Sequence, residues 1–422
     1  MSHFGKISLL VISIVFISVM SPVADDSETY FDFLKATYNR HDRQLNDFLK
    51  AEFELFIAFY PESEFVPEAS YLLAQTFLER KAEHEGFALL MKALYLYPDN
   101  PVRTSVVAEA QRIVATNSSY KRQQGELRKI IDGEFPGGEM AERFYRYLKF
   151  LRELDDRKLY GWTLGEYYEF IERFRDDSRV EQIHRWLGDI YASMGEAQAA
   201  VAAYQKYEKL FPVNKNLPYV IINRANVLNE DLKDYALANS LLTQVIENYP
   251  ETKYASTAMF SRAKIKAERF RDYDGAIADY RQLIKQDPQH EKAVEALFEI
   301  ASINVNRLRA LRSAIDTYNE VVQKYPESPR GVEALKESAA LYQKMKDPYS
   351  AAKQYARIAE LYPDHAEAPA MLFEAGEQAL GKIKDFQLAR EYYNLLIEKY
   401  PGNVYADKAQ QRIIRINEKQ GP

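Results

Sequence analysis

The stretch Tyr249-Pro250-Glu251-Thr252-Lys253-Tyr254-Ala255 decides how this chain folds, because its opening pair recurs along most of the sequence. An aromatic residue followed by proline stands at Tyr60-Pro61, Tyr97-Pro98, Phe135-Pro136, Phe211-Pro212, Tyr325-Pro326, Tyr362-Pro363 and Tyr400-Pro401. Two slots keep half of the mark: Phe174-Arg175 retains the aromatic and Asp287-Pro288 the proline. Successive marks lie 37 to 39 residues apart. A fixed period of that length means one supersecondary unit stacked on copies of itself. Such a stack offers a long surface rather than one closed cleft.

Between the prolines, small residues recur at Ala200, Ala238, Ala276, Ala314, Ala351 and Ala389. One helical turn later come Tyr204, Leu242, Tyr280, Tyr318, Tyr355 and Tyr393. A second small series, Ala74, Gly188, Ala225, Ala263, Ala301, Ala339 and Gly376, falls thirteen positions after the junction. Spacings of three and four predict helices, and a small side chain in each lets two helices approach closely as an antiparallel pair. Asp234, Asp272, Asp347 and Asp385 are placed to cap the second helix of a pair. Proline at the junction ends it.

These residues resemble the tetratricopeptide repeat family, which combines small residues in both helices, an aromatic in the second and a closing proline. The longer period and the Tyr-Pro-Glu-Thr-Lys-Tyr-Ala junction are similar to the subgroup found in bacterial envelope proteins, such as the Tol–Pal cell-division coordinator and the lipoprotein of the outer-membrane barrel-assembly machinery. The chain lacks the coiled-coil head of the first and the lipid-bearing cysteine of the second. The resemblance implies an all-α fold, a right-handed α-solenoid of about ten helix pairs closed by a C-terminal capping helix over Val404 to Glu418. The expected organisation is a signal peptide over 1–24, an N-terminal arm over 25–135, a degenerate repeat with a possible bend over 136–175, and a regular array over 176–422.

The N-terminus is different material. Ile7 to Met20 is apolar apart from serines, and Ser21-Pro22-Val23-Ala24 precedes Asp25-Asp26. Such a run is too short to span a membrane comfortably and fits a secretory signal cleaved near Ala24, the alternative being an uncleaved membrane anchor. Cysteine is absent from all 422 residues, which rules out disulfides, thiolate metal sites and cysteine nucleophiles. An exported cysteine-free chain suits a bacterial periplasm. A formal net charge of −6 argues against nucleic acid as ligand. The basic run Arg307-Leu308-Arg309-Ala310-Leu311-Arg312 reads as a solvated helix face.

No phosphate-cradling glycine loop or nucleophile elbow is present. His84-Glu85 begins like a zinc-protease motif, but Ala88 stands where the second histidine is required. His290 and His365 follow repeat prolines by two residues and read as turn caps. Asp155-Asp156 and Asp176-Asp177 fall at junctions and read the same way. Neither enzyme, cofactor nor metal is expected.

In the resembling family, residues three before and one after the small position of the first helix face the inner groove. Carried onto this chain, these include Tyr71, Gln75, Arg185, Asn226, Phe260, Lys264, Phe298 and Phe373, with Asn229 one turn beyond Asn226. Aromatics beside amides and charges suit an extended peptide; equally, Phe260 and Phe298 could pack between repeats. Their truncation would abolish capture in the first case and melt the fold in the second. The expected function is a non-enzymatic periplasmic scaffold binding another envelope protein or extended peptide, in envelope assembly, division or secretion. Any membrane association would be peripheral, through partners. The rival reading is a polysaccharide-export or glycan-binding component using the aromatic groove.

Overall fold

The computed structural model of the chain describes residues 26–133 and 137–420. The signal expected over 1–24 and the Phe135-Pro136 junction lie outside them. The described residues are helical throughout their regular structure, and fall into two compact units, one through Met194 and one from Gly195.

The first unit contains α1 (Asp26–Tyr38), α2 (Asn46–Phe59), α3 (Val66–Glu79), α4 (Glu83–Leu96), α5 (Arg103–Thr116), α6 (Gln124–Ile131), α7 (Met140–Leu154), α8 (Tyr160–Arg173) and α9 (Val180–Ser193). The second contains α10 (Ala197–Leu210), α11 (Leu217–Glu230), α12 (Tyr235–Asn248), α13 (Lys253–Ile265), α14 (Tyr273–Gln286), α15 (Ala293–Ile303) and α16 (Leu311–Lys324). It continues through α17 (Gly331–Lys344), α18 (Pro348–Leu361), α19 (Ala368–Gln378), α20 (Phe386–Lys399) and the closing α21 (Val404–Gln420).

Local chemistry sets the boundaries. At the described junctions the aromatic is the C-cap of the second helix, and it leaves the helical region without becoming fully extended: Tyr249 stands at φ −132°, ψ 49° and Tyr400 at φ −129°, ψ 56°. The degenerate slots keep this geometry, Phe174 at −124° and Asp287 at −135°, so the helix also ends where half the mark is missing. Asp234, Asp272, Asp347 and Asp385 each accept the backbone N–H three residues on, at 2.9–3.0 Å. His290 and His365 accept from Lys292 and Glu367 N–H, the turn role expected of them. Asp177 does the same for Arg179.

The period itself has a structural cause. In the second unit, where junction prolines are 38 apart, the first helix ends in a wide turn whose closing bond spans six residues: Asp234 N–H to Leu228, Asp272 to Lys266, Ala310 to Asn304 and Asp385 to Ala379. Three of these turns are π-helical, over Lys266–Phe270, Asn304–Leu308 and Ala379–Ile383. In the 37-residue repeats the bond spans five, Ala82 to Phe77 and Asp347 to Tyr342. The additional residue is thus absorbed as a bulge, and the helices beyond it stay in register.

In the second unit every helix packs on its sequence neighbours. Ala225, Ala238, Ala263, Ala276, Ala301, Ala314, Ala339, Ala351 and Ala389 are fully buried, as close helix crossings require. The first unit departs from this order. Helix α7 packs on α4, across the intervening α5 and α6. Gln124 and Arg128 stand in the small and aromatic slots of α6, which buries only Leu127 and Ile130. That helix cannot seat a neighbour. Helix α4 can, being apolar on nearly all sides with Phe87, Leu90, Met91 and Leu94 buried.

Candidate functional site

The first helices of the second unit form one repeating contact. The residue three before the small position meets the residue nine before it in the next repeat. Phe260 lies under Lys292, 5.6 Å from its ring centre, and Phe298 under Arg330 at 3.4 Å. Where the aromatic becomes Lys336, its partner becomes Glu367, paired at 2.5 Å. Phe373 meets Tyr405 at 5.7 Å between ring centres. One slot is therefore filled by cation–π, ion-pair and aromatic contacts in turn.

This geometry places the sequence-derived candidates. Phe260 and Phe298 are 7% and 8% exposed, edge-on to Tyr280 and Tyr318. They form inter-repeat contacts, and little of either ring is left for a partner. Phe373 is half-buried against Tyr393. Lys264 is exposed. Asn226 is half-buried, and the buried Oδ1 of Asn229 has no protein hydrogen-bond partner. In the first unit Tyr71 and Gln75 lie on α3 and Arg185 on α9, all half-buried; the Nε2 of Gln75 is buried without a protein partner.

Of these nine residues, Phe298 lines a cavity of the second unit. That cavity has a volume of about 960 Å³ and lies between α15, α17 and the junction joining α16 to α17. Its charged lining is six acids, Glu291, Glu295, Glu299, Glu327, Glu333 and Glu337, against Lys324 and Arg330. Arg330 is held bidentate by Glu333 at 2.7 and 2.9 Å, and Lys324 by Glu320 at 2.8 Å. Lys292 takes Glu295 at 2.8 Å. Glu299 and Glu337 have no ion-pair partner among the described residues. Burial pushes the Glu299 carboxyl up against the pull of Lys264, and Glu295 and Glu268 add to the rise. The Tyr325 hydroxyl, also at the wall, is buried with no protein partner. The result is a negative recess over an aromatic floor, with a hydrogen-bonding group left unsatisfied.

Sequence reasoning missed these acids. The available signal was a pair of glutamates four apart on two successive first helices, Glu295/Glu299 and Glu333/Glu337. It also missed a cluster in the first unit: His84 Nδ1 lies 2.5 Å from Asp156 Oδ2 and 2.6 Å from the Tyr120 hydroxyl, which donates to Asp156 at 2.8 Å. Burial opposes ionisation of Asp156, but the bonds from Tyr120 and His84 hold its carboxyl below the usual value. Asp156 also caps Lys158, the role read for it. Among the described residues no group of histidines and acids could hold a metal ion, and no helix is long and apolar enough to cross a membrane.

Sequence comparison gives the class. Residues 183–214, 219–252, 265–329 and 370–403 match the tetratricopeptide repeat family, and with the helix pairs described above they make this chain a tetratricopeptide repeat protein. No curated protein matches it. Solved structures with a similar fold include a tetratricopeptide repeat protein from Parabacteroides merdae, 14% identical over 66% of this chain and 100% of that one, with a TM-score of 0.38. Others are pilF of Pseudomonas aeruginosa (15% identity, 55% and 97% coverage, TM-score 0.34) and MamA from Desulfovibrio magneticus RS-1 (18%, 46% and 98%, 0.36). The repeat fold is an interaction scaffold.

Proposed function

We propose that this chain is a non-enzymatic periplasmic scaffold that holds an extended, basic segment of another envelope protein against the first helices of its second unit. The observation that carries the reading is the recess at Phe298, where six carboxylates outnumber two cations and both cations are already paired. Such a surface favours lysine or arginine side chains, whose charged heads can meet Glu299 and Glu337. Envelope assembly, division or secretion is the setting that the N-terminal segment favours, and a scaffold would reach the membrane there through its partners. The glycan reading is the weaker one. It needs exposed, coplanar aromatics, and Phe260 and Phe298 are buried edge-on.

A direct test uses two extended peptides, one alternating lysine with leucine and one glutamate with leucine. The lysine peptide should bind with salt-sensitive affinity. Glu299→Gln with Glu337→Gln should weaken it about fivefold or more, as loss of two exposed charge contacts implies. Equal affinity for the acidic peptide would refute the charge argument. Export is tested separately: intact mass of the protein from its native host's envelope should begin after Ala24, and a chain recovered in the cytosol would refute the compartment.

A further inference from the structure

One edge of the second unit carries a pattern that the scaffold role does not use. Four consecutive turns between the paired helices each place an apolar residue between two cations: Arg269-Phe270-Arg271, Arg307-Leu308-Arg309, Lys344-Met345-Lys346 and Lys382-Ile383-Lys384. Interactions link the first three of these turns: Arg307 lies over Tyr273, and Arg312 acts on Asp347, while Arg269 lies over Tyr235 of the turn before them. Phe270 and Leu308 are 45% and 42% exposed, Met345 and Ile383 are half-buried, and Tyr349 beside the third turn is 59% exposed. The acids on this edge are largely engaged: Asp272, Asp347 and Asp385 accept helix N–H bonds as caps, and Glu268 pairs with Arg269. Ala310 replaces the cap acid at the second turn, leaving Arg307, Arg309 and Arg312 in excess there.

The second cation of each turn stands where the backbone is left-handed, with φ of 56°, 55°, 61° and 62° at Arg271, Arg309, Lys346 and Lys384. Glycine is the cheaper occupant of that conformation, and Gly195 fills it in another repeat. None of these four cations has an ion-pair partner among the described residues. Attraction to the C-terminal end of a helix dipole accounts for one cation per turn, but not for two, and not for the outward Phe270 and Leu308. We infer that this edge docks on an anionic lipid surface, the apolar tips entering the headgroup layer while flanking cations meet phosphates. Exposed apolar side chains set among cations suit a lipid surface, which presents phosphates and an apolar boundary together.

The test is sedimentation of the full chain with vesicles of phosphatidylethanolamine containing about one-third phosphatidylglycerol, against phosphatidylcholine alone. The N-terminal segment is common to all variants and cancels in their comparison. The fourfold change Arg271→Gly, Arg309→Gly, Lys346→Gly, Lys384→Gly should weaken binding to the anionic vesicles by roughly 600-fold, at roughly fivefold per cation. Its melting temperature should hold or rise, because glycine relieves the left-handed backbone. Phe270→Ser with Leu308→Ser keeps every charge and should also weaken binding. The inference is overturned if the glycine variant binds as tightly as the parent, or if phosphatidylcholine serves equally well. Binding to soluble polyglutamate but not to vesicles would overturn it in favour of an acidic macromolecule.

Discussion

Lys92→Met should destabilise the first unit by about 3–5 kcal/mol, because it leaves a buried carboxylate without its counter-ion. Lys92 on α4 lies 2.7 Å from both Glu166 and Glu169 on α8, and 4.9 Å from the centre of the Phe144 ring on α7. It therefore ties together the three helices whose packing departs from sequence order. Glu166 is only 5% exposed. Burial, opposed by Lys92 and reinforced by the neighbouring Glu169, pushes its carboxyl from the ordinary 4.5 up to about 7. The folded state thus keeps this proton longer than the unfolded chain does, so Glu166's contribution to stability falls as pH rises from about 4.5 through about 7. In the variant nothing offsets the ionised form, and the deficit should be larger at pH 8 than at pH 5. Both tryptophans, Trp162 and Trp186, lie on α8 and α9, so urea melts followed by their fluorescence report on this unit. A deficit that is small, or independent of pH, would show that the pair is not buried as described.

The second large effect is expected at Phe298→Ala, about 3–5 kcal/mol for a buried phenylalanine truncated to alanine. Its ring is 8% exposed, packed edge-on at 5.3 Å to Tyr318 and covered by the Arg330 guanidinium. Contacts between repeats carry the cooperativity of such arrays, so the loss should appear as a lower or split helical melt by circular dichroism. Arg330→Met should cost much less, since the ring stays covered by an aliphatic stem. A Phe298→Ala chain that melts like the parent would mean that the ring is a free groove anchor and not an inter-repeat contact.

What could be read from the sequence was what is local and periodic. The small slots at Ala263, Ala301 and Ala339, the caps at Asp272 and Asp385, and the helix end at the aromatic before proline each depend on residues within one repeat. One sequence therefore states the rule many times. The contact of α4 with α7 was not legible, because it depends on how little surface the polar face of α6 offers across some forty residues of chain. The Lys92 and His84 clusters join residues more than seventy apart, and no spacing announces them. Phe260 and Phe298 were correctly located in the first helices, but their partners Lys292 and Arg330 sit one repeat on. The glutamates of the recess stood in view at regular spacing, one turn away from the positions that the family pattern directs attention to.

The most direct test of the scaffold reading is a photo-crosslinking residue at Ser302, exposed at the wall of the recess, in the full chain expressed in its native host. Irradiation should yield a discrete polypeptide adduct. Mass spectrometry should map it to a lysine- or arginine-rich extended segment, and Glu299→Lys with Glu337→Lys should abolish it. An adduct that survives this charge reversal, or none at Ser302, would contradict the claim that this face of the second unit holds a basic partner.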